Sequence, residues 1–200
     1  MTNFETIVTS PGWRWSQQAD ADYGPDARTE LFWRSNCSAD TEFEFLGLLH
    51  YLVRSLKPQR CIETGTASGL GAVAIASALA MNGTGGKLVT VDIGRCDNAR
   101  STVEKSGLSE FVEFIQSDSM RHCASVAEGY DFGFFDSAIE IRALEIKMLR
   151  DRGKLSGLCA VHDTGLTRHR SGLNHDLRSD LKALNCLELP LGRGLSLLRV

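Results

Sequence analysis

Glu63, Asp92, Asp136, His162 and Asp163 are the residues whose types and spacing could do chemistry, and each closes a short apolar run. Glu63 opens the stretch Glu63-Thr64-Gly65-Thr66-Ala67-Ser68-Gly69-Leu70-Gly71, and Lys87-Leu88-Val89-Thr90-Val91-Asp92 follows it. A glycine-rich turn between a strand pattern and a helix pattern, with an acidic residue ending the next strand, describes a site for a nucleotide-like ligand. The glycine spacing narrows that class. A dinucleotide fingerprint needs glycine where Ala67 stands, and a P-loop needs Gly-Lys-Ser/Thr where Gly69-Leu70-Gly71 stands. What remains is E-x-G-x-x-x-G with Asp92 downstream.

These residues can converge only if the elements that carry them are parallel strands. From residue 60 onward short apolar runs alternate with helical patterns, which implies crossover units and a mainly parallel sheet. Strands are expected at 60 to 64, 87 to 93, 111 to 116, 130 to 136 and 157 to 162. Helices are expected at 69 to 82, 97 to 106, 120 to 128 and 139 to 152, the last three stopped by Gly107, Gly129 and Gly153. After a helix near 173 to 184, the runs 186 to 191 and 195 to 200 are separated by only Gly192-Arg193-Gly194. So short a connection cannot be a helical crossover, and the two strands must pair antiparallel. The apolar spacing from Glu42 to Leu56 reads as an amphipathic helix.

The E-x-G-x-x-x-G turn, Asp92 and the closing hairpin together resemble the class I S-adenosylmethionine-dependent methyltransferases. The resemblance covers residues 38 to 200 and implies an α/β fold: a Rossmann-like three-layer sandwich whose seven-stranded, mostly parallel sheet carries a C-terminal antiparallel hairpin, the last strand inserted between the fifth and sixth. It also implies roles. Glu63 helps fix the methionyl ammonium, the turn from Gly65 to Gly69 lets backbone approach the methionyl part, Thr66 and Ser68 add hydroxyls, and Asp92 accepts from the ribose diol. Asp118 and Ser119 stand where the family places an adenine contact, and either residue could equally cap the helix that follows.

Asp136 and the pair His162-Asp163 end the fourth and fifth strands, so they should face each other beside the reactive methyl. This centre is similar to that of the catechol-type small-molecule O-methyltransferases, which bind a divalent metal there. Asp136 matches the first ligand and Asp163 the second. Thr164 stands where Asn is usual, and Ile139 where a lysine is usual. Use of Mg²⁺ through Asp136 and Asp163 therefore stays open. His162 offers another proton acceptor, since an imidazole with an ordinary pKa of about 6.5 suits that task; the competing account makes it a strand-end residue bonded to its surroundings. The implied function is methyl transfer from S-adenosylmethionine to a hydroxyl of a small molecule, with His162 and Asp136 as the catalytic pair. The alternative is a non-catalytic S-adenosylmethionine-binding or partner subunit of the same fold.

Composition narrows the partners. The chain has 200 residues, 42% hydrophobic and 24% charged, enough for one α/β domain. A formal net charge of -3 gives no general attraction to nucleic acid, and Arg168, Arg170 and Arg178 are interleaved with Asp163, Asp176 and Asp180. His169 and His175 flank a loop that could serve as a lid or as a plain connection. Six cysteines without C-x-x-C spacing form neither a zinc pattern nor a disulfide framework, which suits a reducing, cytoplasmic setting. No apolar run reaches membrane length, so neither membrane nor nucleic acid is expected as a partner. Residues 1 to 37 hold all three tryptophans, Trp13, Trp15 and Trp33, in an irregular context. They could cover the active site, lend aromatic surface to a second copy in a homodimer, or only fill gaps against the domain.

Overall fold

The computed structural model describes residues 41–165, 177–189 and 193–200. The aromatic segment 1 to 37 and the His169 to His175 loop lie outside the described residues, as does the Arg168-Arg170 pair. The elements are α1 (Phe43–Leu56), β1 (Arg60–Thr64), α2 (Leu70–Asn82), β2 (Lys87–Asp92), α3 (Asp97–Lys105), β3 (Val112–Gln116) and α4 (Ser119–Ser125), then β4 (Tyr130–Phe135), α5 (Arg142–Asp151), β5 (Leu155–His162), α6 (Leu177–Lys182), β6 (Leu187–Leu189) and β7 (Leu195–Arg199).

All seven strands join one sheet in the order β3-β2-β1-β4-β5-β7-β6. The first five pair parallel, while β7 runs antiparallel to both β5 and β6. Apolar side chains on the two faces explain the layering. Phe45, Leu46 and Leu49 of α1 join Val73, Ile75 and Leu79 of α2 and Val103 of α3 in the cluster on one face. Cys123 of α4, Ile146 and Leu149 of α5, and Leu177 and Leu181 of α6 fill the other. Because β1, β2, β4 and β5 are central, β1, β2 and β4 are buried nearly throughout and β5 is buried over its carboxyl half. The cysteines Cys61, Cys123 and Cys159 are free thiols fully inside this core, packing as small apolar residues. No helix among the described residues is long and apolar enough to cross a membrane.

The expected elements are present with shifted ends. Helix α4 is shorter than the expected 120 to 128: it starts at Ser119 and stops at Ser125, with Val126 already extended. Gly129 therefore caps nothing and lacks the left-handed φ, unlike Gly107 at φ 68° and Gly153 at φ 64°. Helix α5 begins at Arg142 rather than 139, after Ile139 has turned into the core. Strand β5 starts two residues early, at Leu155, with Gly157 at φ 94° beside a shift of register against β4. The sheet order places the carboxyl ends of β1 and β4 side by side at the point where strand order reverses, with β2 and β5 flanking them. A doubly wound sheet opens its ligand crevice at that point.

Candidate active site at the strand ends

The turn after β1 is shaped by three left-handed residues: Gly65 (φ 86°), Ala67 (φ 46°) and Gly69 (φ 88°). A Cβ on Gly65 would run into the carbonyl oxygen of Asp136, so glycine here lets the ends of β1 and β4 touch backbone to backbone. The collision it avoids is with the protein's own chain rather than with a ligand. Asp92 holds the turn from the other side. Its Oδ2 accepts from the Thr66 and Ala67 amides at 2.9 and 3.2 Å, and its Oδ1 accepts from Gly94 N at 2.8 Å. Three of its roughly four acceptor positions are thus engaged. The adjoining Ile93 is 75% exposed, an apolar surface next to that carboxylate.

Glu63 lies buried beneath the turn, above Gly71, where any side chain would strike its carboxylate. It accepts a hydrogen bond from Thr90 Oγ1 at 2.5 Å, and Thr90 Oγ1 lies 2.7 Å from Thr66 Oγ1. Burial pushes the Glu63 carboxyl up to about 8, partly offset by the Thr90 bond and reinforced by Asp136 and Asp92. The Thr66 hydroxyl therefore points inward, although its backbone faces the cleft. A shallow cleft opens here, lined by Thr41, Glu63, Gly65, Thr66, Ala67, Ser68, Leu70, Gly71 and Asp136.

Asp118 and Ser119 divide their work. Asp118 is the N-cap of α4, its Oδ1 accepting from Arg121 N at 2.8 Å. The Ser119 hydroxyl donates inward to Glu145. Glu145 also accepts from Thr64 at 2.9 Å and from Ser137 at 2.8 and 2.9 Å. One fully buried carboxylate thereby ties together the ends of β1 and β4 and the start of α4. Burial raises its pKa, while the Ser119, Ser137 and Thr64 hydroxyls pull it back.

Asp136, His162 and Asp163 do converge as the parallel register requires. His162 is fully buried, with Nδ1 3.0 Å from Asp136 Oδ1 and Nε2 2.5 Å from Glu42 Oε2. A ring nitrogen facing a carboxylate must carry hydrogen, so two such contacts call for the imidazolium. Burial alone would lower the His162 pKa, but Asp136, Asp163 and Glu42 outweigh it and raise it to about 9. In this arrangement His162 has no free lone pair to take a proton. Asp136 keeps the one partly exposed face of the cluster, bonded by Thr41 at 2.9 Å. Burial would raise its pKa, but His162 and Arg142 hold it below the ordinary carboxylate value.

Two arginines complete the cluster. Arg142 Nη2 lies 3.0 Å from Asp136 Oδ1, and its Nη1 and Nη2 each lie 3.5 Å from Asp163 Oδ2. Arg193 donates from Nε to Glu42 Oε1 at 3.0 Å and lies 3.3 Å from Asp163 Oδ1. Among the described residues the carboxylates Glu42, Asp136 and Asp163 thus face Arg142, Arg193 and the His162 imidazolium, and the charges balance.

The residues expected to hold a divalent metal do not fit one. Asp136, His162 and Asp163 offer ligand atoms within 4.8 Å of one another, but fixed organic cations already satisfy them. Thr164 Oγ1 is buried and accepts from Ser196 Oγ at 2.9 Å, and Ile139 packs in the core. S-adenosylmethionine does suit the cleft. The buried Glu63 carboxyl and the glycine turn line it, and Asp92, beside the exposed Ile93, adjoins the turn through its bonds to Thr66 and Ala67.

Sequence reasoning missed Glu42, Arg142, Glu145 and Arg193. The two on α5 carried a signal, because Arg142 and Glu145 share a face with the buried Ala143, Ile146 and Leu149, where a charge demands a partner. Arg193 carried none: its position depends on the hairpin turn closing on β5, where Gly165 N donates to Arg193 O and Thr164 N to Gly194 O.

A seven-stranded sheet in this order, with the reversed last strand and an acidic glycine-turn cleft at the switch point, is the fold of the class I methyltransferases. A family model described as a methyltransferase domain matches residues 62–164, more than half of the chain, which belongs to that family. The chain is 27% identical over 184 residues to a caffeoyl-CoA O-methyltransferase of Stellaria longipes, covering 82% of this chain and 75% of that one. Among solved structures, an SAH-bound methyltransferase of Podospora anserina superposes with a TM-score of 0.71 at 19% identity, covering 80% of each chain. An O-methyltransferase of Streptomyces achromogenes involved in tomaymycin synthesis, in complex with SAM, gives 0.67 at 18% identity, with 81% of this chain and 82% of that one covered.

Proposed function

We propose that this methyltransferase moves a methyl group from S-adenosylmethionine to a hydroxyl of a small-molecule acceptor, in a soluble, cytoplasmic setting. The observation that carries the reading is one cleft in which Glu63, the Gly65 to Gly69 turn and Asp136 meet, with Asp92 holding the turn. The O-methyltransferase names of the relatives, and the SAM or SAH held by the solved neighbours, support the donor and the acceptor atom.

When bound, the donor supplies a methyl group on a sulfonium centre, open to in-line attack. Glu63 would pair with the methionyl ammonium, and Asp92 would accept from the ribose through its remaining acceptor position. Ile93 would lie against the adenine, with Asp118 at its edge. The Asp136 carboxylate would accept the hydrogen bond of the acceptor hydroxyl and aim its oxygen lone pair at the methyl. As the C–O bond forms and the C–S bond breaks, the hydroxyl proton leaves through Asp136 to water. His162 acts through Asp136, fixing its rotamer, and does not receive that proton.

The bonds that already engage Asp136 favour a second reading, a subunit that binds the donor without turnover. Incubation with labelled S-adenosylmethionine and a panel of phenolic, sugar and polyketide alcohols separates the two. Methylated product from one acceptor class, lost in Asp136→Ala with donor affinity retained, is the expected result. Donor binding with no product from any acceptor would favour the non-catalytic subunit.

A further inference from the structure

Arg142 sits on the buried face of its helix with Ala143, Glu145, Ile146 and Leu149, and it is only 4% exposed. All three guanidinium nitrogens are used. Nε donates to Ser137 O at 2.7 Å, Nη1 donates to His162 O at 2.5 Å, and Nη2 reaches Asp136 while the fork spans to Asp163 Oδ2. One planar cation therefore bridges the loops that end β4 and β5 and both carboxylates at their tips. A divalent ion at the end of a parallel sheet would do the same bridging.

We infer that the Arg142 guanidinium takes the place of a divalent cation at this strand-end cluster, so that the site works without metal and Asp136 is aimed into the cleft by a fixed side chain. Three observations besides its own contacts support this. A second guanidinium, Arg193, lies 3.3 Å from the other oxygen of Asp163. His162 Nδ1 lies 3.0 Å from Asp136 Oδ1 and occupies that oxygen from a third side. Thr164, at the remaining ligand position, is turned to Ser196 and buried. A dication entering this space would meet two guanidinium cations at contact distance and strand a buried one, which has no water to turn to. Arg142 touches no part of the proposed acceptor position and is a positioning residue.

The inference deepens the proposed function, because it assigns the cation of that site, and its test is separable from it. Mn²⁺ binding to the full chain is followed by electron paramagnetic resonance, with calorimetry for S-adenosylhomocysteine run in parallel on the same samples. Wild type should bind no Mn²⁺ at millimolar concentration, and its S-adenosylhomocysteine affinity should be indifferent to chelator. Arg142→Gln should expose the two carboxylates and gain at least about tenfold in Mn²⁺ affinity, while Arg142→Lys, which keeps a cation, should stay free of Mn²⁺. Bound Mn²⁺ in wild type, lost in Asp136→Asn, would overturn the inference. So would a folded Arg142→Gln that takes up none. If Arg142→Gln does not fold, wild type and Arg142→Lys still decide. Failure to bind S-adenosylhomocysteine, with Mn²⁺ also absent, would count against the proposed function instead.

Discussion

Glu63 and Asp92 end neighbouring strands beside one turn, yet their surroundings give them different tasks. Asp92 faces backbone amides and is only partly buried, whereas Glu63 is buried with a hydroxyl donor and a pKa pushed up to about 8. A group neutral in the empty cleft at pH 7 would ionise when an ammonium settles against it. Binding of S-adenosylmethionine at pH 7 should therefore release protons. Calorimetry in buffers of different ionisation enthalpy would read the release as a slope, expected for wild type and absent in Glu63→Gln. Equal slopes in both would remove Glu63 from the ammonium site. The identity of these residues was legible from E-x-G-x-x-x-G and its spacing to Asp92. The inward turn of the Thr66 and Ser119 hydroxyls was not, because it depends on Thr90 and Glu145, which are distant in sequence.

At the scale of elements, the buried charge cluster joins α1, the loop after β4, α5, the end of β5 and the hairpin before β7. Its ionisation should appear in the pH dependence of stability. His162 has its folded pKa raised to about 9 from the ordinary 6.5. Its stabilisation is then complete below about pH 6.5 and is lost as pH rises through 9. Glu42 and Asp136 have their pKa values lowered, so what they contribute is present above the ordinary carboxylate range and lost as pH falls through the lowered values. Glu63 adds a decline between its ordinary 4.5 and about 8, and the buried thiols Cys61, Cys96, Cys123 and Cys159, raised above their ordinary 9.0, add another as pH approaches 9, so in the window from 8 to 9 the His162 contribution is the part of the slope that His162→Gln removes. Wild type should lose thermal stability across that window, and His162→Gln should show a flatter slope there whatever its own Tm. An identical slope would mean that His162 is neutral in the folded protein. The helices themselves were readable from apolar spacing, with errors at ends set by local capping. Asp118 starts α4 a residue early, and the extended Val126 stops it before Gly129.

For the whole molecule, strand direction followed from two short-range signals, helix-length spacing between β1 and β5 and the few residues between β6 and β7, while the place of the last strand in the sheet order was implied by the family resemblance. That order puts Glu63, Asp92, Asp136 and His162 on one edge, which is why the candidate site could be named from strand ends alone. The counter-charges could not, since Arg142, Arg193 and Glu42 reach the same place from a helix, a hairpin and the start of α1. The proposed methyl transfer requires that the cleft bind S-adenosylmethionine. Titration calorimetry with that ligand tests it most directly, on wild type and on Asp92→Ala. One site per chain is expected, weakened roughly tenfold to 100-fold in the variant, as loss of hydrogen bonds to a charged group of about 1.5–3 kcal/mol implies. No binding to wild type, or undiminished affinity in a folded Asp92→Ala, would contradict the account.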